Sequence, residues 1–153
     1  MIEPKFYLGL PPEARMIRQK VFIDEQHFKE EFTGDDEGCW CLVLFHDEKP
    51  IATGRIQEVD PETYRVGRVA VLKEYRGKKI GSYLLKFLEV KIKSLGGRKA
   101  ILAAQYDKRD FYLKQGYKFA DDGEVFYEEY CPHINMEKIL VRPNKSRYQR
   151  FPK

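Results

Sequence analysis

A chain of 153 residues, 42% hydrophobic and 34% charged, is long enough for one substantial core and too apolar to stay disordered. It predicts a single domain over residues 1–140 and a basic tail over 141–153. No apolar run approaches the ~20 residues of a membrane span, and residues 1–5 lack the charged and apolar regions of a secretory signal, so the expected location is the cytoplasm, with no membrane partner. Cys39, Cys41 and Cys131 are an odd set with no Cys-x-x-Cys pair, which points to reduced core thiols and to neither a disulfide framework nor a metal site.

In chain order, Pro11 and Pro12 suit a first helical turn, and Ala14, Ile17 and Val21 recur on one face, predicting a helix over 12–22. Residues 27–38 are polar and carry Glu30, Glu31, Asp35, Asp36 and Glu37. They read as a long loop, either solvated surface or a mouth that draws in a cationic amine. The strand formers of 39–45, the turn at Asp47-Glu48-Lys49-Pro50 and the run 51–59 make a hairpin, and after a break at 60–63 the run 64–72 adds a third strand. Ile80, Leu84, Leu88, Ile92 and Leu95 give an amphipathic helix over 79–95, stopped by Gly96-Gly97. The strand 99–104 follows that crossover helix and is therefore expected to lie parallel to 64–72. A short helix over 108–114 with Asp107 as cap, short strands over 118–120 and 124–130, and a strand over 133–140 complete the order. The tail from Arg142 holds Tyr148 and Phe151, aromatics suited to docking on a neighbour.

The stretch Val69-Ala70-Val71-Leu72-Lys73-Glu74-Tyr75-Arg76-Gly77-Lys78-Lys79-Ile80-Gly81-Ser82 is strand, charged loop and helix start. The first N–H groups of a helix have no intrahelical partner and carry the positive end of its dipole, so a phosphate is held there by the backbone itself. Gly77 and Gly81 permit close approach, and Arg76, Lys78 and Lys79 add positive charge. Gly81 is followed by Ser82-Tyr83 with no lysine, which excludes a P-loop, and the glycine spacing excludes the dinucleotide fingerprint. Basic residues outnumber acidic ones between 71 and 99, which attracts polyanions without choosing between a cofactor and nucleic acid.

The loop resembles the Arg/Gln-x-x-Gly-x-Gly/Ala pyrophosphate loop of the GNAT superfamily of N-acetyltransferases, with Arg76 first and Gly81 last. Lys79 stands where that family has its middle glycine, a change tolerated if its backbone angles are ordinary for a helix start. Phe111-Tyr112-Leu113-Lys114-Gln115-Gly116-Tyr117 resembles the family's Tyr-x-x-x-Gly-Phe/Tyr segment. More narrowly, the stretches 18–26, Ala104-Gln105 and 126–136 are similar to the ElaA-like branch, also grouped with YjcF. The fold this implies is the α+β GNAT acyl-CoA N-acyltransferase fold, a mixed central sheet of an antiparallel meander plus one βαβ crossover, flanked by helices.

The implied activity is transfer of an acetyl group from acetyl-CoA to an amine-bearing acceptor. By the resemblance, the main chain of Val69, Ala70 and Val71 lies along the pantetheine arm, with an N–H near Val71 toward the thioester oxygen. The amides of Arg76, Gly77, Lys78, Lys79, Ile80, Gly81 and Ser82 hold the pyrophosphate. Tyr112 contacts the sulfur and protonates the leaving thiolate. Glu25 and His133, with Glu129 behind them, are candidates for the base, alongside loss of the proton to water before binding; Arg55 and Arg68 are candidate ion-pair partners for Glu25. Competing readings are an acetyl-CoA sensor without turnover and a nucleic-acid-binding module, the latter lacking any RNP or zinc-finger pattern. Exposed aromatics such as Tyr127 and Tyr130 make a homodimer interface an open expectation.

Overall fold

The computed structural model describes residues 1–140; the tail, with Tyr148 and Phe151, lies outside the described residues. Its elements are β1 (Ile2–Leu8), α1 (Pro12–Arg18), β2 (Trp40–His46), β3 (Lys49–Asp60), β4 (Thr63–Val71), α2 (Ile80–Ser94), β5 (Lys99–Gln105), α3 (Arg109–Lys114), β6 (Lys118–Phe119), β7 (Val125–Glu128) and β8 (Cys131–Ile139). The strands join in the order β1-β2-β3-β4-β5-β8-β6, with β7 also on β8. All neighbours are antiparallel except β4 and β5, which α2 connects as a parallel crossover. This is the expected mixed sheet, a meander plus one βαβ unit.

The run 39–45 is apolar throughout because β2 is covered on both faces. Cys41, Val43 and Phe45 pack with Ala14, Ile17, Val21 and Phe22 of the first helical segment. Leu42 and Leu44 point the other way, into the cluster built on Leu84, Leu85, Leu88 and Ile92 of α2. That helix lies close on β3 at Gly54, where a Cβ would come within 2.8 Å of Leu88 Cδ1.

Three expectations are corrected. Residues 2–8 carry no clear alternation and hold Pro4, so no strand is predicted there, yet they form β1, paired from Ile2↔His46 to Leu8↔Trp40. An edge strand has a free side on which proline is tolerated. The helix over 12–22 stops being α-helical at Arg18 and continues as a π-helical segment, Gln19–Glu25, with Gln26 N–H donating to Val21 O at 3.0 Å. Asp107 caps no helix among the described residues; it lies in a 3₁₀ turn, Tyr106–Lys108, and the N-cap of α3 is Lys108.

Candidate active site

Strands β4 and β5 begin as neighbours and then separate. Their pairing runs through Thr63↔Lys99, Tyr64↔Ala100 and Arg65↔Ile101 and ends there, although both strands continue. A bulge in β4 accompanies the divergence: Thr53 faces Ala70 and Arg55 faces Gly67, so Gly54 stands opposite both Arg68 and Val69, with Arg68 at φ +51°. Such an extra residue bends its strand and sharpens the local twist. Beyond the bulge, Leu72 N–H donates to Ile51 O at 2.9 Å. By the alternation of an antiparallel ladder, the N–H and C=O of Val71 therefore turn away from β3 and into the wedge. Val69, Ala70 and Val71 thus form the edge of an open slot.

At the mouth of the slot stands the N-terminus of α2. Lys79 is its N-cap with φ +63° and ψ +17°, a left-handed conformation, so the condition of ordinary helix-start angles is not met. This explains why a glycine suits that position, and a lysine there carries backbone strain. The first intrahelical bond runs from Tyr83 N–H to Lys79 O at 3.2 Å, which leaves the N–H groups of Ile80, Gly81 and Ser82 directed out of the helix end. Gly77 is also left-handed, at φ +77°, and Lys78 is exposed beside the Tyr75 ring. Gly81 has a second reason to be glycine, since a Cβ there would meet the Phe111 ring at 3.1 Å.

Helix α3 closes the slot from the β5 side. Phe111 covers Gly81, Gln115 Nε2 donates to Ser82 Oγ at 2.9 Å, and Tyr112 is partly buried between the rings of Phe111 and Tyr117. Burial pushes the Tyr112 phenol up to about 12. No group among the described residues bonds its hydroxyl.

The opposite rim is built by the end of the π-helical segment and the β7–β8 turn. Gln105 Nε2, at the end of β5, donates to Gln26 Oε1 at 2.8 Å. Tyr130 donates its hydroxyl to Gln26 O and stacks on Phe28 with ring centroids 5.4 Å apart. The Glu129 carboxylate accepts Lys29 N–H at 2.9 Å and Glu30 N–H at 3.1 Å, and those backbone bonds hold it below its usual range. His133 pairs across from Gln105 and is 5% exposed. Its Nδ1 lies 3.0 Å from Cys131 O, so that nitrogen carries the proton, and its Nε2 lies 3.3 Å from Glu128 Oε2. Glu25 meets neither Arg55 nor Arg68. It forms a bidentate pair with Arg76, at 2.5 and 2.8 Å, whose hydrogen bond holds the carboxyl below its usual range.

The acetyltransferase (GNAT) domain family matches residues 13–140. This chain belongs to the GNAT acetyltransferase family. YyaT of Bacillus subtilis is 34% identical over 85% of this GNAT chain and 89% of its own. The crystal structure of a Lactobacillus plantarum protein superposes with a TM-score of 0.81 at 26% identity, over 92% of this chain and 99% of that one. Escherichia coli ElaA superposes at 0.77 and 28%, over 90% and 99%.

What sequence reasoning missed in this GNAT domain is chiefly a buried ionic cluster. Arg18, 1% exposed, donates to Glu31 Oε2 and Asp36 Oδ1, both at 2.7 Å. Arg55 reaches Asp36 at 2.9 Å and Asp35 at 3.1 Å, and Arg68 Nε lies 3.0 Å from Glu31 Oε2. The acidic loop 27–38 is therefore neither simply solvated nor a free negative mouth: Glu31 and Asp36 are buried and paired, and Glu30 and Glu37 remain exposed. Burial pushes the Glu31 carboxyl up despite Arg68 and Arg18. In Asp36 burial acts the same way but is outweighed by the hydrogen bonds from Arg18 and Arg55, which leave it lowered. Glu128 was missed too. The period-2 alternation of β7 places it on the face of Phe126, whose ring stacks on His133.

Proposed function

We propose that the protein is an acetyl-CoA-dependent N-acetyltransferase acting on a primary amine by direct attack in a ternary complex. The observation that carries this reading is the open edge of β4 leading to the N–H groups at the start of α2, which have no partner among the described residues. It is a slot with backbone donors for an extended pantetheine arm at one end and for a pyrophosphate at the other. Similarity to ElaA supports placement in the ElaA-like branch.

In the reaction, the neutral amine nitrogen attacks the thioester carbonyl carbon. The carbonyl oxygen gathers negative charge against the Val71 N–H. The C–S bond then breaks, and the thiolate takes its proton from the Tyr112 hydroxyl, which solvent later reprotonates. A phenol raised to about 12 keeps its proton at neutral pH, so the hydroxyl is available as a donor to the sulfur as negative charge develops there. The amine's proton passes to the pair formed by His133 Nε2, which is unprotonated because Nδ1–H is committed to Cys131 O, and the exposed Glu128 carboxylate beside it. The imidazolium so formed is stabilised by Glu128 at 3.3 Å.

Calorimetric titration with acetyl-CoA tests the cofactor site, using the wild type and Lys78→Glu, an exposed reversal of charge beside the helix N-terminus. The wild type binds and the variant binds about tenfold or more weakly, a difference of about 1.4 kcal/mol. A wild type that does not bind acetyl-CoA refutes the reading.

A further inference from the structure

Arg76 opens the pyrophosphate loop in sequence, yet its side chain does not turn toward the α2 N-terminus. Nε donates back to Val71 O at 3.0 Å, and the two terminal nitrogens take both oxygens of Glu25, at 2.5 and 2.8 Å. One guanidinium thereby joins the last residue of β4 to the end of the π-helical segment, across 51 positions of sequence. The carbonyl it holds is the one that the ladder alternation turns into the wedge, on the same side as the Val71 N–H.

We infer that Glu25 and Arg76 form a latch that positions the Val71 backbone for the acyl group. By occupying Val71 O, the latch leaves the N–H as the polar group that this residue offers to the slot. It also prevents the carbonyl dipole from facing the thioester oxygen, where negative charge develops. Glu25 is thus a positioning residue, and its carboxylate, already bidentate to a guanidinium, takes no proton from the amine. The inference rests on the acetyltransferase reading and deepens it.

Two readouts test the latch. The first is the backbone amide resonance of Val71 in Arg76→Lys, Glu25→Gln and the double variant, without ligand and with acetyl-CoA. The second is thiol release from acetyl-CoA with either a protonated alkylamine or hydroxylamine, a nucleophile that is neutral at pH 7 and needs no base. Each single variant displaces the Val71 amide resonance and lowers kcat about tenfold. The double variant is no worse than either single one. The KM for acetyl-CoA and the shape of the pH profile stay as in the wild type, and hydroxylamine does not restore the rate.

An unmoved Val71 resonance, losses that multiply in the double variant, or a Glu25→Gln enzyme restored by hydroxylamine overturns the latch, the last making Glu25 the base. If the wild type fails to bind acetyl-CoA, the functional reading fails separately. The ligand-free spectra then still decide whether Arg76 and Glu25 set the Val71 backbone.

Discussion

Replacing Lys79 with glycine should make the protein more stable. Lys79 holds φ +63° and ψ +17° as the N-cap of α2, a conformation that costs an L-residue about 1–2 kcal/mol. Glycine removes that strain but loses more chain entropy on folding, a term of about 0.5–1 kcal/mol in the other direction. The net expectation is a gain of roughly 0.5–1 kcal/mol, or about 1–4 °C in Tm for a domain of this size. Lys79→Ala is the control, because it removes the same ammonium and keeps the Cβ that causes the strain. Thermal and urea unfolding of the three proteins, without ligand, separate backbone strain from side-chain charge. If Lys79→Gly is no more stable than Lys79→Ala, the strain argument is wrong, and the charge at the loop accounts for whatever change is seen.

Tyr112→Phe keeps the aromatic packing between Phe111 and Tyr117 and removes the proton donor; kcat should fall about 100-fold with acetyl-CoA affinity unchanged by calorimetry. Because burial holds the phenol near 12, Tyr112 should contribute no alkaline limb to the rate profile around neutral pH. Arg18→Ala removes the partner shared by Glu31 and Asp36, which keep Arg68 and Arg55 respectively, and should cost about 1–3 kcal/mol in urea unfolding. The acid dependence of stability should distinguish the two carboxylates. Asp36 is lowered in the fold, so its contribution is present above the unfolded value of about 3.9 and is lost as pH falls through the folded value. Glu31 is raised and acts with the opposite sign, favouring the fold as pH falls. Asp36→Asn should therefore flatten the acid-side fall in Tm, and Glu31→Gln should steepen it.

The parts of the molecule written in local pattern were legible in the sequence. The spacing of Ile80, Leu84, Leu88 and Ile92 is a property of one helix, and the parallel pairing of β4 with β5 follows from that helix crossing between them. The turn into α2 was legible through the residues around Gly81, although the contact of Phe111 with Gly81 depends on a helix thirty positions away. Contacts between distant residues were not legible. Nothing near Arg76 indicates that its guanidinium turns back to Val71 and Glu25, and nothing near Glu129 indicates that it receives the backbone N–H groups of Lys29 and Glu30. The ionic cluster escaped for a related reason. A run of acids reads as surface unless one knows that Arg18, Arg55 and Arg68 lie beneath it. β1 escaped because an edge strand need satisfy only one side, which loosens the pattern by which strands are recognised.

The π-helical segment, Gln19–Glu25, is anchored at both ends. Arg18, just before it, is fixed in the ionic cluster, and Glu25, its last residue, is fixed to Arg76. A wide turn accommodates one more residue than an α-turn over the same span, so the segment's residue count acts as a phase between two fixed points. Substitutions at exposed positions such as Lys20 and Asp24 leave that phase alone, while deleting a single residue swings Glu25 off its partner without disturbing α1. The segment should thus tolerate change of sequence and resist change of length, the reverse of what is usual for a connection at the rim of a binding site.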